Sequence, residues 1–455
     1  MNIDWHPGDP DAAFARAAAA GLPLFLYWGA SWCPPCNRIR ATVFEHAAFC
    51  ALAPSFMALQ IDGDAPGAQQ LAERFHVRSY PTLVVFNPAG AEITRLPCEL
   101  DAARFLDMFA LALTARRTVA ESLSAARSRE RQLSNDEWRL LSFYSWDTDE
   151  RQVLKSLDMA ATLASMTRVC VLPEARLRLQ WHTLYAAAMS GKGGIDQRAA
   201  VKRLEETLAD AHVVRAHMDI VTHHGQDLVR FLTTPQSPAR IRLAQAWARA
   251  MALLEADASL NLADQLTALR TRVRMSRLGA AEPGLQAQAR QRVAQVLSVE
   301  MGAALRHQVI NTAAGVLADA ALLDDAQQLL LAQLETSHAP FYFMHSLAEI
   351  AKKRGDPGAA IDWYERAWDS AAGSATRLQW GAAYRQGMVD FAPHGIERIE
   401  HFAGRMLAEL ENLDAAFFQR NRTQMARMGA RLAQWRGAGP RAAALRQATK
   451  AASAP

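Results

Sequence analysis

The sequence predicts an α/β domain with a mixed sheet over its first quarter and an all-α region over the remainder. Three observations carry this reading. Short β-like runs alternate with helical patterns as far as about residue 115, and no such run follows. The 455 residues exceed what one ordinary hydrophobic core organises. Half the residues are hydrophobic and 21% charged, which is globular composition and excludes a disordered chain.

Taken in order, Leu22 to Trp28 and Phe56 to Ile61 read as buried strands. Between them Cys36, Ile39, Val43, Phe44 and Ala47 recur at helical spacing. Thr82 to Phe86 is β-branched and aromatic, and Asn87-Pro88-Ala89-Gly90 turns it into a second run, Ala91 to Leu96, as a hairpin. Ala102, Phe105, Leu106, Phe109 and Leu113 close the domain as one face of a helix. These elements set a first domain at 1–115.

Beyond it, Ala-, Leu- and Arg-rich helices are broken by turns at Gly191 to Gly194, Thr233 to Pro238, Ala280 to Gly284 and Ala392 to Gly395. Ser134-Asn135-Asp136-Glu137 is a capping-box pattern ahead of Trp138. A 34-residue period relates Ala314 and Leu317 to Ala348 and Ala351, followed by the Gly355-Asp356 turn and Ala360 to Ala367. This resembles the tetratricopeptide repeat, which pairs small residues at helix crossings with large aromatics in the gaps. The expected divisions are helical repeats over 301–435, a basic flexible tail over 436–455, and for 116–300 either further repeats or a plain helical bundle. Tryptophans such as Trp138, Trp181, Trp363 and Trp380 sit among apolar neighbours and are expected in the core.

Fifty basic against 46 acidic side chains leave a formal charge of +4, too slight to imply nucleic acid or an anionic membrane. No basic start leads into an apolar stretch at the N-terminus, and no segment approaches the ~18 unbroken apolar residues of a membrane span. The expectation is a soluble, cytoplasmic protein with no membrane partner. Adjacent His223 and His224 point to different sides of a helix, which predicts a solvated helix end and no metal site. Gly191-Lys192-Gly193-Gly194 lacks phosphate-loop spacing.

Five cysteines in a chain of this length exclude a disulfide-stapled scaffold. Two of them stand in Trp32-Cys33-Pro34-Pro35-Cys36, which follows a strand and opens an amphipathic helix. A cysteine pair at i, i+3 puts both sulfurs on one face, and a helix N-terminus favours the thiolate, which is the nucleophile. A zinc site would need a second pair. Cys50, Cys98 and Cys170 do not form one, so no metal or other cofactor is expected beyond the redox-active pair itself. Cys50 and Cys170 read as inert core thiols.

With Ser79-Tyr80-Pro81-Thr82 leading into the hairpin, the first domain resembles thioredoxin. The resemblance implies the thioredoxin fold, a mixed central sheet flanked by helices. It also implies a disulfide-exchange cycle with Cys33 as nucleophile and Cys36 as resolving thiol. Pro81 becomes the expected cis-proline, and Trp32, Pro34, Pro35, Tyr80 and Pro81 the substrate groove. Where the family keeps a buried acid this chain has Tyr27, and where a basic residue often follows the second cysteine it has Asn37. The Pro-Pro dipeptide is that of tryparedoxin- and nucleoredoxin-like proteins. Cys98, in the loop expected near Pro81, is a candidate third thiol or else a small packed hydrophobe.

The expected function is thiol–disulfide oxidoreduction, in the direction of a protein-disulfide reductase. Its partners would be protein disulfides, an electron donor (a reductase or a low-molecular-weight thiol), and a client or partner held by the helical repeats. The alternative resembles chaperedoxins, which join an N-terminal thioredoxin domain to tetratricopeptide repeats and hold unfolding proteins.

Pro34 and Pro35 carry no N–H group, so a thiolate at the Cys33 N-cap lacks two donors that the first turn would otherwise supply. Pro34→Gly restores one and lowers the Cys33 pKa. Alkylation rate against pH reads it, and an unchanged or higher value refutes the argument.

Overall fold

The computed structural model describes residues 3–149, 152–191, 194–391 and 396–411, with isolated positions beyond. The expected turn at Ala392 to Gly395, part of the Gly191 to Gly194 turn, and nearly all of the 436–455 tail lie outside them.

Five strands form one sheet in the order β1-β3-β2-β4-β5. They are β1 (Trp5–Pro7), β2 (Leu24–Gly29), β3 (Met57–Asp62), β4 (Thr82–Phe86) and β5 (Glu92–Arg95). Every residue of β2 and β4 is buried, which is why both read as unbroken apolar runs. β1 runs parallel to β3, with Trp5 opposite Ala58, and β4 pairs antiparallel with β5. The hairpin turn closes as expected: Asn87 Oδ1 accepts the Ala91 N–H, and Gly90 takes φ +84°.

The helices of this part are α1 (Pro10–Ala20), α2 (Pro34–Ile39), α3 (Ala47–Ala51), α4 (Ala68–Arg74) and α5 (Ala102–Thr114). Asp9 caps α1 by accepting from the Asp11 and Ala12 amides, and Pro10 follows at a position where its missing N–H costs nothing. A π-type turn, Arg40–Phe44, continues α2 and buries Val43 and Phe44. Phe44 joins an aromatic core with Phe25, Phe49, Phe56 and Phe109, the Phe25–Phe109 centroids being 4.8 Å apart.

Seventeen further helices follow among the described residues. The first group is α6 (Val119–Ser128), α7 (Asn135–Ser142), α8 (Met159–Val169), α9 (Pro173–Ser190), α10 (Gln197–Leu208), α11 (Ala211–Ala216), α12 (Met218–His223) and α13 (Gly225–Leu232). Next come α14 (Pro238–Ala256), α15 (Leu262–Ser276), α16 (Leu285–Leu297), α17 (Ala303–Asp319) and α18 (Leu323–Leu331). The last are α19 (Pro340–Lys353), α20 (Pro357–Ser370), α21 (Ser374–Phe391) and α22 (Ile396–Glu411). The capping box at Ser134 and Glu137 is present, and Thr118 with Glu121 forms another.

The chain divides into two compact units that do not follow its order. One contains 1–27, 34–60 and 81–322; the other contains 28–33, 61–80 and 323–455. Each therefore joins part of the α/β domain to part of the helical region. In the first unit Trp181 and Trp247 meet edge to face at 5.6 Å within a core drawn from α9 to α15, and Trp247 Nε1–H donates to the Val221 carbonyl. In the second, Trp368 is buried against Phe402 and Tyr384. Trp138 and Trp380 are buried as expected, whereas Trp363 is half-exposed beneath the Arg366 guanidinium.

Around α9 the first unit buries ionisable groups. Arg178 and Asp219 form an enclosed pair, and Arg178 lies 3.8 Å over the Phe143 ring. His182 and His217 are buried beside them. The expected solvated end at His223 and His224 is half right: His223 is exposed, but His224 stacks on Tyr185 at 3.7 Å. Burial, then the Arg178 charge, holds His217 at about 4. Burial, then His223, holds His224 at about 4. Unfolded histidine takes up its proton near pH 6.5 and these folded ones only near 4, so the unfolded state binds more protons between those limits. Stability is thus full above pH 6.5 and falls as pH drops toward 4, by up to about 3 kcal/mol for each histidine. Urea midpoints across this range should show the loss, with a shallower slope in His217→Gln.

Candidate functional site

The Trp32–Cys36 motif sits where β2 hands over to α2, and the boundary between the two units falls between Cys33 and Pro34. None of the five cysteines is joined in a disulfide. Helix α2 begins at Pro34, which places Cys33 immediately before its first residue, and the Cys33 N–H donates to the Ala30 carbonyl. Cys33 is 3% exposed and Cys36 wholly buried.

On the Cys36 side, the charged residue of α2 that matters is Arg38. Its buried guanidinium makes a two-point pair with Asp264 of α15, at 2.7 and 2.8 Å. It also donates to the carbonyls of Cys98 and Leu100. Asn261 holds the same carboxylate from the start of α15. Burial opposes the Arg38 charge, and Asp264 more than offsets that, keeping the guanidinium ionised. A second clasp lies beside it: Asp101 caps α5 through the Arg104 amide and pairs with Arg215 of α11 at 2.7 Å. Helix α17 packs on α2.

Cys98 is half-buried in the loop after β5, and its thiol donates to Glu99 at 3.0 Å. Burial, then the Glu99 carboxylate, pushes its pKa well above the ordinary value, with Arg38 opposing. Cys36 lies close enough to contribute to that field. A thiol held protonated is a poor nucleophile at neutral pH. Cys50 donates to the Phe44 carbonyl, and Cys170 is buried. Tyr27 packs on Trp5 and Phe44 as an aromatic of the core. Pro81 is buried.

On the Cys33 side, Trp32 is 7% exposed. Its Nε1–H donates to Asp64 Oδ2 at 2.6 Å, and its ring lies 5.9 Å from Tyr80. Asp64 in turn accepts the N–H and Oγ1–H of Thr376, from the first turn of α21, at 3.1 and 2.6 Å. Gly373, at φ +87°, lies against this carboxylate so closely that an added Cβ would come within 2.6 Å of Asp64 Cγ. Phe341 and Tyr342 of α19 approach the Trp32 ring, at 6.1 and 6.4 Å.

Sequence reasoning located Cys33, Cys36, Trp32, Pro34, Pro35, Tyr80, Pro81 and Cys98. It missed Arg38, Asp64, Asp264 and Thr376. Arg38 and Asp264 are 226 positions apart, and Asp64 and Thr376 are 312 apart, so no local pattern links them.

Comparison with known proteins bears on this geometry. The thioredoxin-like domain family matches residues 10–113. That part of the chain is a thioredoxin-like domain. Over 112 residues the chain is 32% identical to thiol:disulfide interchange protein DsbD 1 of Pseudomonas aeruginosa, covering 24% of this chain and 19% of that protein. A thioredoxin H-type of Oryza sativa subsp. indica is 31% identical over 86 residues, 19% of this chain and 66% of the other. The chain thus spans about a fifth of the length of its interchange-protein relatives. Among solved structures, a thioredoxin from Thermus thermophilus is 30% identical, with 25% of this chain and 89% of that one covered at a TM-score of 0.23.

Among the described residues no group of three or more His, Cys, Asp or Glu could hold a metal ion, and no helix is long and apolar enough to cross a membrane. A cavity of about 250 Å³ beside Trp181, Leu184 and Leu204 contains no cysteine.

Removing one partner of a buried, hydrogen-bonded pair leaves an uncompensated charge. Asp264→Ala should therefore cost about 3–5 kcal/mol, while joint replacement of Arg38 by Met and Asp264 by Leu restores most of it. Urea unfolding of the three variants measures both.

Proposed function

We propose that this protein is a thiol–disulfide oxidoreductase, acting as a protein-disulfide reductase through Cys33 and Cys36. One observation carries the reading: a cysteine pair at i, i+3 stands at the start of α2 in a thioredoxin-like domain. The relatives named interchange proteins and thioredoxin support the same chemistry.

The Cys33 thiolate attacks one sulfur of a substrate disulfide, forming a Cys33–substrate disulfide and releasing the other substrate sulfur as a thiolate. Cys36, deprotonated in turn, attacks the Cys33 sulfur and releases the second substrate thiolate. Two electrons pass to the substrate, its two sulfurs take up protons, and Cys33–Cys36 is left as a disulfide. An external dithiol or two low-molecular-weight thiols then reduce it. Trp32, Pro34, Pro35, Tyr80 and Pro81 form the rim of the site in this reading, with the Tyr80–Pro81 peptide bond cis. A reducing cytoplasmic setting fits the direction. The helical region, whose sequence reads as tetratricopeptide-like over 301–435, holds the client or partner.

Disulfide reduction and aggregation suppression, measured side by side for wild type and Cys33→Ser, test the proposal. Reduction should vanish in the variant. A variant that keeps reduction refutes the assignment, and one that loses it yet still suppresses aggregation moves the principal role to a chaperedoxin-like holdase. In Cys36→Ser the substrate should be trapped on Cys33. A Cys33–Cys98 bridge in the same digest would make Cys98 a participating third thiol.

A further inference from the structure

Thiol–disulfide exchange requires the attacking sulfur to reach the substrate sulfur directly, so access to Cys33 governs the reaction. A thiol 3% exposed beside a tryptophan 7% exposed is closed to the disulfide of a folded protein. The residues over Trp32 come from the far end of the sequence. Phe341 and Tyr342 face its ring, and both also contact Trp380 of α21, at 5.9 and 5.7 Å. His338 Nε2 lies 3.0 Å from the Ser31 carbonyl, at an exposed edge of the same cover.

We propose that the start of α19, backed by α21, is a lid over Trp32 and Cys33 that must open before a protein disulfide can react. The proposal rests on the dithiol cycle described above.

The way the cover is held suits a lid better than a permanent core. Its aromatic contacts are edge and tilted approaches, and its polar hold includes, besides the exposed His338–Ser31 contact, a buried point where Thr376 donates twice to Asp64. The same carboxylate takes the Trp32 indole N–H, so the latch and the residue beside the nucleophile share one acceptor. Loss of the Thr376 hydroxyl leaves Asp64 with the Thr376 amide and the Trp32 indole, and weakens the cover without touching Cys33 or Cys36. When a reaction proceeds only through a minor open state, its rate scales with the open fraction.

The test compares two oxidants of the reduced full chain, insulin as a protein disulfide and oxidised glutathione as a small one. Wild type, Thr376→Val, Thr376→Ser and the double variant Phe341→Ala/Tyr342→Ala are followed by circular dichroism and by the rate of dithiol oxidation. Thr376→Val and the double variant should react with insulin about tenfold faster than wild type, with less than about a threefold change for glutathione, and Thr376→Ser should stay near wild type. Folded variants that gain nothing with insulin overturn the lid. A wild type that neither oxidant oxidises overturns the dithiol cycle itself, which is a distinct result. Should the variants unfold, wild type alone decides by mass spectrometry of Cys33 modification. A lid requires iodoacetamide to outpace a polyethylene-glycol maleimide far more in the native than in the denatured chain; equal ratios refute it.

Discussion

The buried pairing of Arg38 with Asp264 is the constraint on which the α/β domain's place in the chain depends. Two residues beyond Cys36, the sequence puts a full positive charge on the inner face of a short helix. A guanidinium cannot shed that charge, so it must find a carboxylate and enough carbonyls to occupy its donors. Asp264 supplies the first, and Cys98 and Leu100 supply the second. The helix with Cys36, the loop after β5 and the start of α15 are thereby fixed to one another. Replacing such a pair by apolar residues would often be no less stable, so its value lies in allowing one arrangement of those three elements.

Trp32 shows the same logic with a weaker interaction. Its indole N–H needs an acceptor once buried, and Asp64 meets that need while keeping lone pairs for Thr376. Gly373 leaves room for the carboxylate at that point. The surroundings of Trp32 are thus set by residues of α19 and α21 as much as by those of the α/β domain.

The reach of sequence reasoning follows from how local each feature is. Cys33 and Cys36 lie three apart, the hairpin turn is four residues long, and capping boxes span four, so each could be read directly. β2 and β4 were legible because both faces are buried. β1 was not, since Trp5–Pro7 is three residues long and one of them is proline. Helix α9 buries Ala175, Arg178, Leu179, Trp181 and His182 around much of its circumference, which erases the stripe that periodicity detects. His224 looked like a solvated helix end because nothing near it in sequence announces Tyr185, 39 positions earlier. The ion pairs of Arg38 and Arg215 and the Asp64–Thr376 contact join positions too distant for any spacing rule.

One feature bears on how this protein can be taken apart. The thioredoxin-like match ends at residue 113, which invites a cut there to obtain a minimal thioredoxin-like domain. Such a fragment would keep Arg38 without Asp264, Asp101 without Arg215 and Asp64 without Thr376, and would bare the ring of Trp32. What resembles a detachable module by homology is, by its unmet charges and exposed aromatics, a piece that would not be self-sufficient. The natural unit of purification, crystallisation or transplantation is the longer chain.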